Sequence, residues 1–242
     1  MTLNKLMQLL KDNAGAEGAV PIRAEASADE VHVYVYDVID SYWGASATAL
    51  LEALKDTAGK VVHLHINSPG GDVFEARAMA AALVSHGAKV VSHIDGVCAS
   101  AATYLALAAS EVRMTDGGLF MVHNSWTFTY GNKEELRQTA DLLDKIDGTI
   151  SADYQRKTGA SADQVAAWMN AETWFTAQEA LDAKFIDAID SNTKSGNEQA
   201  RWNLSAYANA PTPPSPDIPE AQIAAQRKRN ENRLRLIAQA SH

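Results

Sequence analysis

A single cysteine, Cys98, stands in the 242 residues, so no disulfide can form within the chain and stability has to come from packing. Basic residues are scarce too: 21 Lys and Arg face 30 Asp and Glu, a formal net charge of -9. A surface of that sign repels phosphate backbones, which argues against nucleic acid as the main partner. No apolar run is long enough for a membrane span. The longest, Val97 to Ala109, is rich in Ala and Ser and falls short of the ~20 apolar residues a bilayer requires. Met1 to Lys11 carries Leu3, Leu6, Met7 and Leu10 at helical spacing, but Asn4, Lys5 and Gln8 interrupt them, unlike the unbroken core of a signal peptide. Nor is there a glycine-rich nucleotide loop or an internal repeat. The expectation is a soluble, cytoplasmic protein with no cofactor or metal and no membrane or nucleic-acid partner.

What is present is a regular alternation. Val31 to Tyr36 mixes β-branched and aromatic residues and predicts a strand. A short helix follows over Ala47 to Lys55, then a strand over Val61 to Ile66 that runs into Asn67-Ser68-Pro69-Gly70-Gly71, the strongest breaker in the sequence. Val73, Ala76, Met79, Ala80 and Leu83 recur at helical spacing. Val90 to Ile94 predicts a third strand, Asp95-Gly96 a turn, and Ser100 to Ala109 an Ala-rich helix. Short strands are expected at Val112 to Met114, Leu119 to Val122 and Phe185 to Ile189. Between them, Leu136, Ala140, Leu143, Ile146, Ile150 and Tyr154 mark one long helix with a single apolar stripe. Ser161 to Gln164 and Thr176 to Glu179 both fit the capping box that opens a helix. Strands alternating with helices imply an α/β fold with a mostly parallel sheet.

Beyond residue 190 this order fades. Residues 191–220 read as a linker whose stretch Pro211 to Pro219 is semi-rigid and extended. Residues 221–242 predict a short basic helix; from 219 to the end, five Arg or Lys against two Glu give +3. The expected organisation is therefore an N-terminal segment (1–25), a main domain (26–190), the linker and the basic helix.

Three features carry chemistry. Gly70-Gly71, between strand and helix, lets the backbone approach a ligand and aim N–H groups at it. In Gly96-Val-Cys-Ala-Ser100-Ala-Ala, a serine sits where a strand turns into a helix, its Oγ near the positive end of the helix dipole. The N–H of Ala101 can there point at a developing oxyanion. In Met121-Val122-His123-Asn124, a histidine just past a strand supplies the one side chain whose ordinary pKa suits proton exchange near neutrality. Each alone has a plainer explanation: a tight turn, a helix cap, a structural histidine.

Their order and spacing together resemble the ClpP peptidases, and more closely the ClpP-related proteases encoded beside phage head genes. The resemblance runs from about Val31 to Ile189, carried by Ile66-Asn-Ser-Pro-Gly-Gly71, Asp95 to Ala102, Met121-Val-His-Asn124 and Thr173 to Ala180. It implies the ClpP/crotonase-like fold of repeated strand-strand-helix units, with the long helix from Lys133 as its handle. It makes Ser100 the nucleophile, His123 the base, and the N–H groups of Gly71 and Ala101 the oxyanion hole. The family's acid lies in an Asp-Arg-Asp stretch that here reads Asn170-Ala171-Glu172. Glu172 thus falls on the acid's position, with Asp147 or Asp153 as substitutes, and a charge pairing used between rings is missing. The resemblance further implies a serine endopeptidase acting on protein or peptide substrates, and a homo-oligomeric ring. A capsid or scaffold protein and an ATPase unfoldase are the implied partners, and the location is the host cytoplasm if the chain is phage-encoded.

Competing assignments are a crotonase-fold enzyme acting on acyl-CoA, a Ser–Lys peptidase using Lys145 or Lys157, and an inactive structural relative. Cys98 is expected to be a small buried residue. His63 and His65 share one strand face, where packing is favoured over metal binding. His93 is a weaker candidate base. Trp126 and Trp174 are expected to pack in the core, with walls of a substrate groove as the other possibility.

Overall fold

The computed structural model describes residues 5–14, 21–190, 202–211 and 228. Most of the expected linker and the basic C-terminal helix lie outside the described residues. An eight-stranded sheet forms the frame, in the order β1 (Ile22–Ala26), β2 (Glu30–Val35), β3 (Val61–Ser68), β4 (Val90–Ala99), β5 (Glu111–Thr115) and β8 (Ala188–Asp190). Off this path, β6 (Leu119–Val122) pairs with β4, and β7 (Thr173–Thr176) pairs with β6. β2, β3, β4, β5 and β8 run parallel, β6 lies parallel to β4, and β1 and β7 are antiparallel to their neighbours. The α/β expectation is met. The strands β1 and β7 were not expected as such: β1 exposes four of its five residues, so no buried run announces it, and β7 is only four residues long.

Helices α2 (Ala47–Ala53), α3 (Val73–Ser85) and α4 (Ala102–Leu107) pack against one sheet face. Val62, Leu64 and Ile66 of β3, with Ile94 and Cys98 of β4, point into that core and are fully buried. Two-residue periodicity then sends His63 and His65, with His93 of β4, to the other face. There they stack with His32 and Tyr34 and hydrogen-bond one another, His63 Nδ1 to His93 Nε2 at 3.0 Å and His32 Nδ1 to His65 Nε2 at 3.1 Å.

The long helix α5 (Lys133–Thr158) opens on a full capping box between Asn132 and Glu135, carries Glu134 and Glu135 in its first turn and Arg156 and Lys157 in its last. These charges complement the helix dipole. Gly159, at φ 73, ends it in the left-handed conformation that favours glycine. Only Ile150, Tyr154 and Thr158, toward its C-terminal end, are buried. α6 (Ala162–Asn170) is capped by Ser161, and α7 (Ala177–Asp182) by the Thr176–Glu179 box.

Two expectations need correction. Asp95-Gly96 is no turn: β4 runs straight through to Ala99. A register shift between Ile66 and Ser68 opens space there, and the Asn67 side chain fills it, accepting the Val97 N–H at 3.0 Å. A Cβ on Gly96 would lie 2.8 Å from the Asn67 Oδ1, so this glycine serves close approach, not chain reversal. Order also does not end at 190. Trp202, Leu204, Ala206 and Tyr207 are buried together with Leu9 of α1 (Lys5–Asn13), covering Val97, Ala99 and Met121 on the outer sheet face. Polar composition concealed this, because the anchors are only four among polar residues.

Candidate active site

Ser100 follows the last residue of β4, and its N–H donates to the Met121 carbonyl of β6 at 2.9 Å. Its backbone is left-handed, φ 55, a conformation that costs a residue with a Cβ about 1–3 kcal/mol. The helix α4 begins two residues later, and its cap position, Ala101, makes no side-chain capping bond. Ser100 is therefore not a capping serine. The strained turn lifts its hydroxyl off the strand end, toward the ring that follows β6: Ser100 Oγ lies 2.6 Å from His123 Nε2. Parallel pairing of β4 with β6, Ala99 opposite Met121, sets that distance.

The Asn67–Gly71 turn stands against this pair. Gly70, φ 92, and Gly71, φ 150, occupy backbone conformations that side chains rarely adopt. A Cβ on Gly70 would lie 2.6 Å from the Ala99 oxygen and 2.9 Å from the Ser100 Cβ; on Gly71 it would lie 2.0 Å from the Ile39 oxygen. Bonds from Ile39 N–H to the Gly70 oxygen (2.9 Å) and from Asp72 N–H to the Ile39 oxygen (2.8 Å) hold the turn. Among the described residues, neither the Gly71 nor the Ala101 N–H donates to a backbone acceptor. A groove of about 320 Å³ leads away from Ser100 and His123, walled by Gly71, Phe74, Trp126, Phe128 and Leu143.

Burial lowers the His123 pKa to about 4; the Glu172 carboxylate opposes that fall and Lys5 of α1 adds to it. The ring is thus a neutral acceptor at neutral pH. Glu172, itself at φ 48, influences His123 by charge. Its carboxylate accepts the N–H groups of Ala208 (3.1 Å) and Asn209 (2.6 Å) and lies 3.5 Å from Trp174 Nε1, and no hydrogen bond joins it to His123 among the described residues. The expectation that a carboxylate at this position orients the imidazole directly is corrected to that extent. Asp147 accepts the Ser125 N–H at 2.7 Å, and Asp153 pairs with Arg156 and Arg77, so neither substitute meets the ring.

The segment after residue 201 was the unexpected contributor. Tyr207 sets its ring edge-on to His123 (centroids 5.4 Å apart), stacks on Trp126 at 5.2 Å, and donates its hydroxyl to the Pro69 oxygen at 2.5 Å. Only its aromatic character could have flagged it. Trp126 therefore both lines the groove and packs. His93 faces Asp190 and His63, away from the site, and Lys157 pairs with Asp187. Cys98 is buried in the core, and burial drives its thiol pKa upward, which keeps it protonated. No helix among the described residues is long and apolar enough to cross a membrane.

A family model described as Clp protease matches residues 21–193. The chain is 30% identical over 146 residues to the ATP-dependent Clp protease proteolytic subunit 1 of Leifsonia xyli subsp. xyli, covering 60% of this chain and 74% of that protein. It is 24% identical over 188 residues to the ATP-dependent Clp protease proteolytic subunit of Streptococcus pneumoniae (strain 70585), covering 76% and 96%. The match spans the sheet, the glycine turn and both partners of the serine–histidine contact, and on it this chain belongs to the Clp protease family of peptidases.

Proposed function

We propose that this chain is a serine endopeptidase in which Ser100 is the nucleophile, His123 the general base, and the Gly71 and Ala101 N–H groups the oxyanion hole. The observation that carries the assignment is the 2.6 Å contact between Ser100 Oγ and His123 Nε2. His123 Nε2 takes the hydroxyl proton as Oγ attacks the scissile carbonyl carbon, and the two N–H groups stabilise the oxygen that becomes negative. The C–N bond then breaks, the leaving amine takes the proton from His123, and an ester to Ser100 remains. Water attacks that ester, gives a proton to His123, and releases the acid as the Ser100 hydroxyl is restored. The Glu172 charge favours the imidazolium formed in each half-reaction, supplying through space part of what a bonded acid supplies elsewhere.

The groove, open and partly apolar, suits an extended peptide. In this reading the chain assembles into a homo-oligomeric ring fed by an ATPase partner; its relatives are named as proteolytic subunits of an ATP-dependent protease. Its substrates are capsid and scaffold precursors cut during phage head maturation, in the host cytoplasm. That finer role rests on the resemblance to phage-type sequences. Labelling with a fluorophosphonate, followed by peptide mapping, tests the chemistry: the adduct falls on Ser100 and vanishes in Ser100→Ala and His123→Ala. Absence of any adduct on the intact protein would point to an inactive relative. The capsid role fails if precursor N-termini are unchanged between wild type and Ser100→Ala in an infected cell.

A further inference from the structure

Two side chains of the segment 202–210 end on the glycine turn. Trp202 Nε1 donates to Asn67 Oδ1 at 2.8 Å, and the Tyr207 hydroxyl donates to the Pro69 oxygen. The segment is fixed from the other side by α1: Asn203 exchanges bonds with Asn13 at 2.6 and 2.8 Å and donates to Asp12 Oδ2 at 3.0 Å, while Gln8 donates to Ser205 Oγ at 3.1 Å. At its far end, Ala208 and Asn209 hold the Glu172 carboxylate. Between these anchors lies Tyr207, in contact with His123, Trp126 and Trp174. Burial raises the Tyr207 phenol pKa, with the Ser100 side chain partly offsetting the rise, so the phenol stays a neutral donor. The segment leaves the groove open, since none of its residues lines it.

We infer that residues 202–210 form a strap that completes the peptidase site, with Tyr207 as its positioning residue, holding the Pro69–Gly71 turn through its hydroxyl and the His123 ring through its own ring. This rests on the serine peptidase assignment above. The Pro69 carbonyl shares its peptide plane with the Gly70 N–H. The next plane, which carries the Gly71 N–H, is held through the Gly70 oxygen by the Ile39 N–H. The phenol thus anchors the near side of the turn that aims the Gly71 N–H. The aromatic ring, perpendicular to His123, keeps water from the imidazole, whose charge Lys5 and Glu172 also influence. The two functions are separable by substitution.

The experiment follows the rate of fluorophosphonate labelling at Ser100 against pH, in the full chain, with near-ultraviolet circular dichroism to verify folding. Tyr207→Phe keeps the ring and loses the hydroxyl: labelling slows about tenfold or more, with the acid limb of the profile unmoved. Tyr207→Ala also loses the ring: labelling slows further, and the acid limb rises by about one pH unit or more as His123 becomes hydrated. Should Tyr207→Ala fail to fold, the nearly isosteric Tyr207→Phe decides alone. Wild-type rates and limbs in the variants overturn the inference, and faster labelling overturns it in favour of a shielding segment. If the wild-type protein does not label at Ser100, the peptidase assignment itself falls, a result distinct from either of these.

Discussion

At the Ser100 turn, strain and proton affinity are both set by single residues. The left-handed backbone of Ser100 is tolerated because its N–H is held by Met121 and its neighbours are alanines and glycines. Gly71 leaves least room, with a Cβ reaching 2.0 Å from the Ile39 oxygen. Gly71→Ala is therefore expected to displace the turn and to cut labelling at Ser100 by at least ~100-fold, the scale of losing an oxyanion donor; a kinetic comparison with wild type checks it. His123, lowered to about 4 by burial, stays neutral through the physiological range. The labelling rate is expected to hold level as pH falls to about 5 and to drop through about 4. Glu172→Gln removes the charge that raises this pKa, so the drop moves to still lower pH. The level rate itself falls roughly tenfold, about 1.4 kcal/mol of lost imidazolium stabilisation. Ser100 and His123 were legible because a serine between strand and helix and a histidine after a strand are local patterns. Tyr207 was not: its contact with His123 spans 84 positions, and nothing in its neighbours' identity reports it.

Among the elements, α5 and the 202–210 strap stand apart for opposite reasons. α5 has an apolar stripe, yet its first turns are exposed: Leu136, on that stripe, at 44%, and Leu142, off it, at 52%; Phe128 and Tyr130 of the preceding segment are exposed as well. A stripe of this kind, on a helix that a single chain covers only at one end, is suited to burial between subunits. Leu136→Glu is expected to lower the oligomer mass in light scattering while leaving the far-ultraviolet circular dichroism intact. The strap has no regular structure and holds by its anchors. Removing the largest, Trp202→Ala, costs about 3 kcal/mol of docking by the general scale for buried tryptophan. Exchange of the Ala208 and Asn209 amides with deuterium is then expected to accelerate, ahead of the sheet amides. The periodicity that made α3 and α5 readable has no counterpart in a segment without a repeat.

At the scale of the molecule, three imidazoles among the described residues, His123, His63 and His93, have pKa values lowered first of all by burial. The unfolded chain binds protons near pH 6.5 where the folded one does not, so stability present above 6.5 is lost as pH falls. The loss from His123 runs from about 6.5 to about 4 and totals roughly 3 kcal/mol. Calorimetry is expected to show the melting temperature falling between pH 7 and pH 5. Sequence alone determined the alternation of strands and helices, the capped starts of α6 and α7, and the glycine turn before α3, because each is written in residues a few positions apart. Tertiary structure decided how β4 continues past Gly96, where Glu172 directs its carboxylate, and that residues 202–210 return to the site. Those outcomes depend on a side chain filling a gap between strands and on anchors nearly two hundred residues from α1, distances over which local pattern carries no information.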